Sequence, residues 1–169
     1  MGYQGNNLFS SNWNQNNLKN LDYNGLFQGF YSVAYQKKLD YTKYPKGISE
    51  KNFEKIIMQY LPVSSEELKK WAAYDEKSGN YLYSRLGCFN YTPDNFWTSI
   101  PEITKIKKNK DGTTTITVDA VCERMGSDKV ITHELTVRVQ ENGGIKYLAN
   151  RILGDGLKKI PKYQYRVKK

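Results

Sequence analysis

Polar and apolar residues alternate along residues 113–124 and 129–140, and both stretches are rich in β-branched side chains, the pattern of half-buried strands. Lys110-Asp111-Gly112, Gly126-Ser127-Asp128 and Asn142-Gly143-Gly144 punctuate residues 102–153 with side chains that tolerate the positive φ of tight hairpins. The spacing predicts four consecutive antiparallel strands with one buried face. Ile116, Val118, Ala120 and Cys122 share one side of the second strand, and Ile131, His133, Leu135, Val137 and Val139 one side of the third. Pairing those sides brings Cys122 close to Ile131 and His133 unless the register slips. Thr115, Thr117, Asp119 and Glu123 then project the other way, opposite Thr132, Glu134, Thr136 and Arg138. Asp119 and Glu134 would repel there, which favours solvent or a cation such as Arg138.

Upstream, the period becomes helical. Leu26, Phe30, Val33 and Ala34 form a stripe that Phe27 and Tyr31 widen, although Gly25 and Gly29 weaken a helix by ~1 kcal/mol each. A second helix has Ser49 as N-cap, Glu50 near the positive end of its dipole and Pro62 as its stop,. Its stripe is Phe53, Ile56, Ile57, Tyr60 and Leu61. A third opens on Ser64-Ser65-Glu66-Glu67, a capping box, and turns Leu68, Trp71 and Ala72 inward,. Tyr81-Leu82-Tyr83 reads as a short strand. The fold class expected is α+β, two or three N-terminal helices packed on a four- to five-stranded antiparallel meander sheet.

One domain over residues 21–157 accounts for these elements. Residues 1–20 are rich in Asn and Gln without a period and read as a flexible leader or linker, loosely ordered unless Leu8, Phe9 or Trp13 docks on the body. Residues 158–169 form a basic tail. Tyr163, Tyr165 and Val167 alternate there with Gln164 and Arg166, so part of it could be a fifth strand.

The chain has 169 residues, enough for a proper core, with 14 Tyr, 6 Phe and 3 Trp adding large rings,. No stretch is apolar enough to span a membrane, and none at the start resembles a signal peptide. The net charge of +9 is uneven, for the tail holds six bases and no acid. Such a tail can contact anionic surfaces, whether cell-wall polymer, lipid headgroup or nucleic acid, or simply be a solvated end. Nucleic acid is not the expected partner. Cys88 and Cys122 leave three options: a disulfide, two buried thiols, or one reactive thiol. With a single His they make a poor metal set, and no metal or cofactor is expected.

Cys122 beside His133 is the sharpest catalytic arrangement, because an imidazole can activate a thiolate. Both positions fall on the apolar side, however, and no third orienting residue is identifiable. Asp75, Glu76, Asp94, Asp119 and Glu134 could work in pairs on sugars, given a fixed separation. No GxGxxG, P-loop or GxSxG motif is present,. Recognition points instead to residues 87–97, where Phe89, Tyr91, Phe96 and Trp97 interleave with Asn90, Asp94 and Asn95. That mix can stack on a sugar ring or a peptide and hydrogen-bond its edges, or the rings can close the core.

FEKIIMQYLPV at residues 53–63, LGCFNY at 86–91, SIPEIT at 99–104, DGT at 111–113, TVDAVC at 117–122, ITHELTVR at 131–138 and KYLANRIL at 146–153 together resemble an uncharacterised family of bacterial secreted or lipid-anchored proteins. The likeness spans about residues 45–153. It implies export behind a leader and a bond between Cys88 and Cys122, with no established activity. Helices followed by a curved meander also resemble the nuclear-transport-factor-2-like or cystatin-like cone, a fold analogy only. The expected function is a non-catalytic, extracytoplasmic binding or accessory domain for a glycan, peptide or partner protein. The alternative is an enzyme of unknown reaction with a pocket between helices and sheet.

Overall fold

Residues 1–87 and 89–167 are described by the computed structural model. Among them the chain runs α1 (Tyr23–Tyr35), β1 (Ile48–Ser49), α2 (Glu50–Tyr60), α3 (Ser65–Trp71), β2 (Tyr74–Asp75), β3 (Asn80–Tyr81), β4 (Ile100–Lys108), β5 (Thr114–Val121), β6 (Thr132–Val139) and β7 (Ile145–Ile152). The last four strands form one antiparallel meander in chain order. The two-residue strands form a small second sheet, β1-β3-β2. The fold is α+β.

Local chemistry explains most boundaries. Gly112, Gly126 and Gly143 take φ of 77°, 59° and 77° at the three hairpin turns, a region where a Cβ would be strained. The capping box is formed: the Glu67 amide donates to Ser64 Oγ at 3.2 Å, and the Ser64 amide to Glu67 Oε2 at 2.9 Å. Asp22 caps α1 by accepting from the Gly25 amide at 3.1 Å. α1 buries Leu26, Phe27 and Phe30, but its last turn leaves the core, and Val33, expected inside, is exposed. Phe53 of α2 stacks between Phe27 and Tyr81, with ring centroids 5.1 and 4.2 Å apart.

Residues 1–20 meet the condition under which they were expected to order. Tyr3, Leu8, Phe9 and Trp13 are all buried in the one core cluster. A Cβ at Gly25 would strike the Gly5 carbonyl, and one at Gly29 the Met1 sulfur. The glycines that weaken α1 as a helix therefore admit the N-terminal segment against it. Trp13 also bridges to Asn150, exchanging backbone bonds of 3.0 and 2.9 Å, so this segment closes the β7 edge of the sheet. Tyr3 and Phe9 pack against His133 of β6, with ring centroids 5.8 and 5.3 Å away.

The tail is anchored as far as it is described, and residues 163–167 form no strand. Tyr163 donates to Asp22 Oδ2 at 2.5 Å, and the buried Arg166 donates to the Gly5 carbonyl at 2.7 Å and to Gln28 Oε1 at 2.5 Å.

The register corrects the expected Cys122–His133 contact. His133 faces Val118, whereas Cys122 bridges to Ser127. Four residues of strand, roughly 13 Å, separate Val118 from Cys122. Nor do Asp119 and Glu134 oppose each other: they pair with Thr132 and Thr117. Their cations are Lys129 at 3.3 Å and Arg151 at 2.6 Å rather than Arg138.

His133 is fully buried and both ring nitrogens are used. Asn150 donates its amide to the Phe9 and Ser11 carbonyls at 3.3 and 2.7 Å, which leaves Oδ1 as the acceptor facing His133 Nδ1 at 2.6 Å. Nδ1 therefore carries the proton, and Nε2 accepts from the Tyr3 hydroxyl at 2.9 Å,. Burial pushes the His133 pKa down to about 4, against a smaller upward pull from Asn150. Between about pH 4 and the ordinary value of 6.5 the unfolded chain binds a proton that the folded one refuses. Stability should fall as pH drops through that window, by up to about 3 kcal/mol. Urea unfolding at pH 7 and pH 4.5 checks this: His133→Gln should be less stable at pH 7 and lose less on acidification. Equal pH dependence in both chains would exclude it.

Candidate functional site

The aromatic run divides into two parts. Asp94 Oδ1 accepts from the Phe96 amide at 2.8 Å and starts a 3₁₀ turn, Asn95–Thr98. That turn drives Phe96 and Trp97 into the core, where Phe96 meets Tyr3 edge-on at 5.5 Å. Asp94 and Asn95 stay exposed, with the Asn95 carbonyl accepting from Cys122 Sγ at 3.2 Å. These four residues build the wall.

Phe89, Asn90 and Tyr91 do something different. Asn90 is half-buried and clasps its own loop: its amide donates to Ser84 Oγ and the Arg85 carbonyl, both at 3.0 Å, while its Oδ1 accepts from the Gly87 amide at 2.8 Å. Phe89 stands beside that clasp with 100% of its surface exposed. Tyr91 is half-buried, and its hydroxyl accepts from Gln4 at 3.4 Å. Gln164 donates to Thr92 at 2.8 Å, tying the loop to the tail. Arg85 donates to the Tyr41 hydroxyl at 2.6 Å with its guanidinium 4.9 Å from that ring. Residues 82–87 and 89–91 thus offer an aromatic ring, a cation and exposed Leu82.

A cleft of about 620 Å³ adjoins the same loop, walled by Lys46, Asp75, Leu82, Tyr83, Ser84 and Arg166 among others. Burial raises the Tyr83 pKa and the neighbouring Arg166 pulls it partly back. On the far side, a space the size of one water lies among Gly5, Asn90, Tyr91, Trp97 and Tyr163. Burial and then the Asp22 carboxylate hold the Tyr163 hydroxyl protonated, well above the ordinary tyrosine range. Nothing in the polarity pattern marks Tyr41 or Arg166 as neighbours of this loop, because they arrive from distant segments.

Three of the candidate carboxylates have partners. Asp75 accepts from Ser78 at 2.6 Å, Asp119 from Thr132 at 2.5 Å, and Glu134 is paired with Arg151. Among the described residues no cluster of three or more His, Cys, Asp or Glu could hold a metal ion. Nor, among the described residues, is any helix long and apolar enough to cross a membrane.

The profile of a family described as of unknown function, DUF6070, matches residues 1–166. The chain belongs to DUF6070. No curated protein and no solved structure matches it. Membership bears out the resemblance to an uncharacterised family and widens it. The Asn-rich start and most of the basic tail, outside the resemblance read from motifs, lie inside the DUF6070 match.

Cys122 carries a free, buried thiol, and Cys88, its expected partner in a disulfide, lies outside the described residues. In a Cys88→Ser chain, Cys122 should resist a thiol reagent under native conditions and react stoichiometrically in denaturant. Rapid native labelling would show that the turn Asn95–Thr98 does not cover it.

Proposed function

We propose that this DUF6070 member is a non-catalytic, extracytoplasmic binding or accessory domain whose loop 82–91 holds a peptide or partner protein. The observation that carries the proposal is Phe89, wholly exposed on a loop fixed by Asn90. Burying a phenylalanine stabilises by about 1.5–3 kcal/mol, so an aromatic ring held away from available core is well placed to anchor an incoming surface. Arg85 within the loop and Tyr41 beside it add side-chain types that concentrate binding energy at interfaces,. The adjoining cleft gives a bound chain somewhere to continue. A glycan could stack on the same ring, but the Leu82 and Arg85 surroundings suit a peptide better. Export is supported by the motif resemblance.

Selection from a displayed peptide library, with a glycan array in parallel, tests the proposal. Phe89→Ser should weaken selected peptides by about 2 kcal/mol while urea unfolding stays within ~0.5 kcal/mol of the parent. Ligands that bind the Phe89→Ser chain as tightly as the parent would refute the role given to the loop.

A further inference from the structure

The two edges of the meander are treated differently. The N-terminal segment pairs with β7 through Trp13, but the outer edge of β4 makes no backbone hydrogen bond to any other described segment. Every residue of β4 except Pro101 is exposed. Pairing with β5 aligns Ile103 with Val118 and Ile106 with Ile116, on the side of the sheet that elsewhere forms the core. Yet Ile103 and Ile106 are 58% and 64% exposed, because the helical cover does not extend this far. The opposite side of β4 carries Lys105 and Lys107, aligned with Thr117 and Thr115. Lys108 and Lys110 follow, and Glu102 is the one acid of the strand.

An uncovered edge with apolar residues on one side is a template for strand addition. A second copy of the chain suits it poorly, since its own β4 would bring the same lysines against these. The charge selects a different occupant. We infer that β4 takes an extended peptide in which acidic residues alternate with apolar ones, adding a strand to the meander. Its backbone continues the ladder, its apolar side chains cover Ile103 and Ile106, and its carboxylates face Lys105 and Lys107. The bulge between Ile103 and Lys105 fixes which lysines share a side. This surface is separate from the Phe89 loop, and the inference does not need that loop to bind anything.

The test uses the whole chain and a fluorescent peptide alternating glutamate and valine. Anisotropy should report salt-sensitive binding. A peptide of the same composition with its valines in one block should bind at least about tenfold more weakly, as should one N-methylated at alternate residues. The Lys105→Glu/Lys107→Glu chain should lose about tenfold for the acidic peptide and gain for its lysine–valine counterpart. Ile103 and Ile106 replaced by Thr should weaken binding without altering salt dependence. Phe89→Ser should change nothing, which separates this result from the preceding one. Equal binding of blocked and alternating peptides, or indifference to N-methylation, would show simple charge attraction and overturn the inference. So would sedimentation showing that the chain dimerises through β4.

Discussion

The whole arrangement depends on one buried polar junction, in which Asn150 joins the sheet to the first residues of the chain. Its amide satisfies the Phe9 and Ser11 carbonyls, its Oδ1 fixes the tautomer of His133, and its backbone pairs with Trp13. The N-terminal segment brings unpaired backbone carbonyls into the interior, and such groups cost about 1–3 kcal/mol each when left unbonded. Asn150 removes that cost for the Phe9 and Ser11 carbonyls, and His133 in turn holds the Asn150 Oδ1 and the Tyr3 hydroxyl. Their presence in a core of Val, Leu and Ile then follows from what docks on them. The contacts span more than a hundred residues, so the segment's docking is among the least local parts of the fold,.

A second junction repeats the logic at the N-terminus of α1. Asp22 caps the helix, accepts from Tyr163 and the Arg166 amide, and its own amide donates to Asn7. Helix and tail therefore meet on the Asp22 carboxylate, and the N-terminal segment on its backbone amide. Gly5 takes a φ of 73° so that its carbonyl reaches Arg166. The segment and the tail hold each other, and both hold the aromatic loop, through Gln4 on Tyr91 and Gln164 on Thr92. Phe89 can be presented at a fixed place because its loop is tied from two sides.

The parts legible in the sequence are those whose cause is local. Hairpin turns need glycine where φ is positive, a capping box needs Ser and Glu three apart, and strand alternation reports one buried face. These fixed the α+β class, the four long strands and α3. The N-terminal segment was illegible because its anchors, Tyr3, Leu8, Phe9 and Trp13, are spaced by turns rather than by a period. Its asparagines satisfy those turns: Asn6 accepts from the Leu8 amide, and Asn17 from that of Asn14. Composition of that kind also describes a disordered leader. The Cys122–His133 contact failed for another reason. Alternation assigns a side of the sheet, but a shift of register along it leaves every side assignment unchanged when made in steps of two. Of the aromatic run, sequence placed seven residues together, and only the Asp94 cap decided which rings point inward.

The charge distribution follows the same division between local pattern and tertiary use. Six bases in the last twelve positions look like a flexible polycation, which attracts anions without geometry. Arg166 does not behave that way: its side chain is buried, with its two terminal nitrogens on Gln28 and the Gly5 carbonyl. With Tyr163 anchored three residues earlier, Lys158, Lys159 and Lys162 are exposed from an ordered segment, and Lys159 is answered by Asp155 at 3.6 Å. Positive charge on a fixed backbone discriminates by position, as a polyelectrolyte tail cannot. The lysines of β4 are fixed more firmly still, by a ladder of backbone bonds to β5 and a bulge that sets their side. Where this protein displays charge to a partner, the strand therefore offers geometry as well as sign.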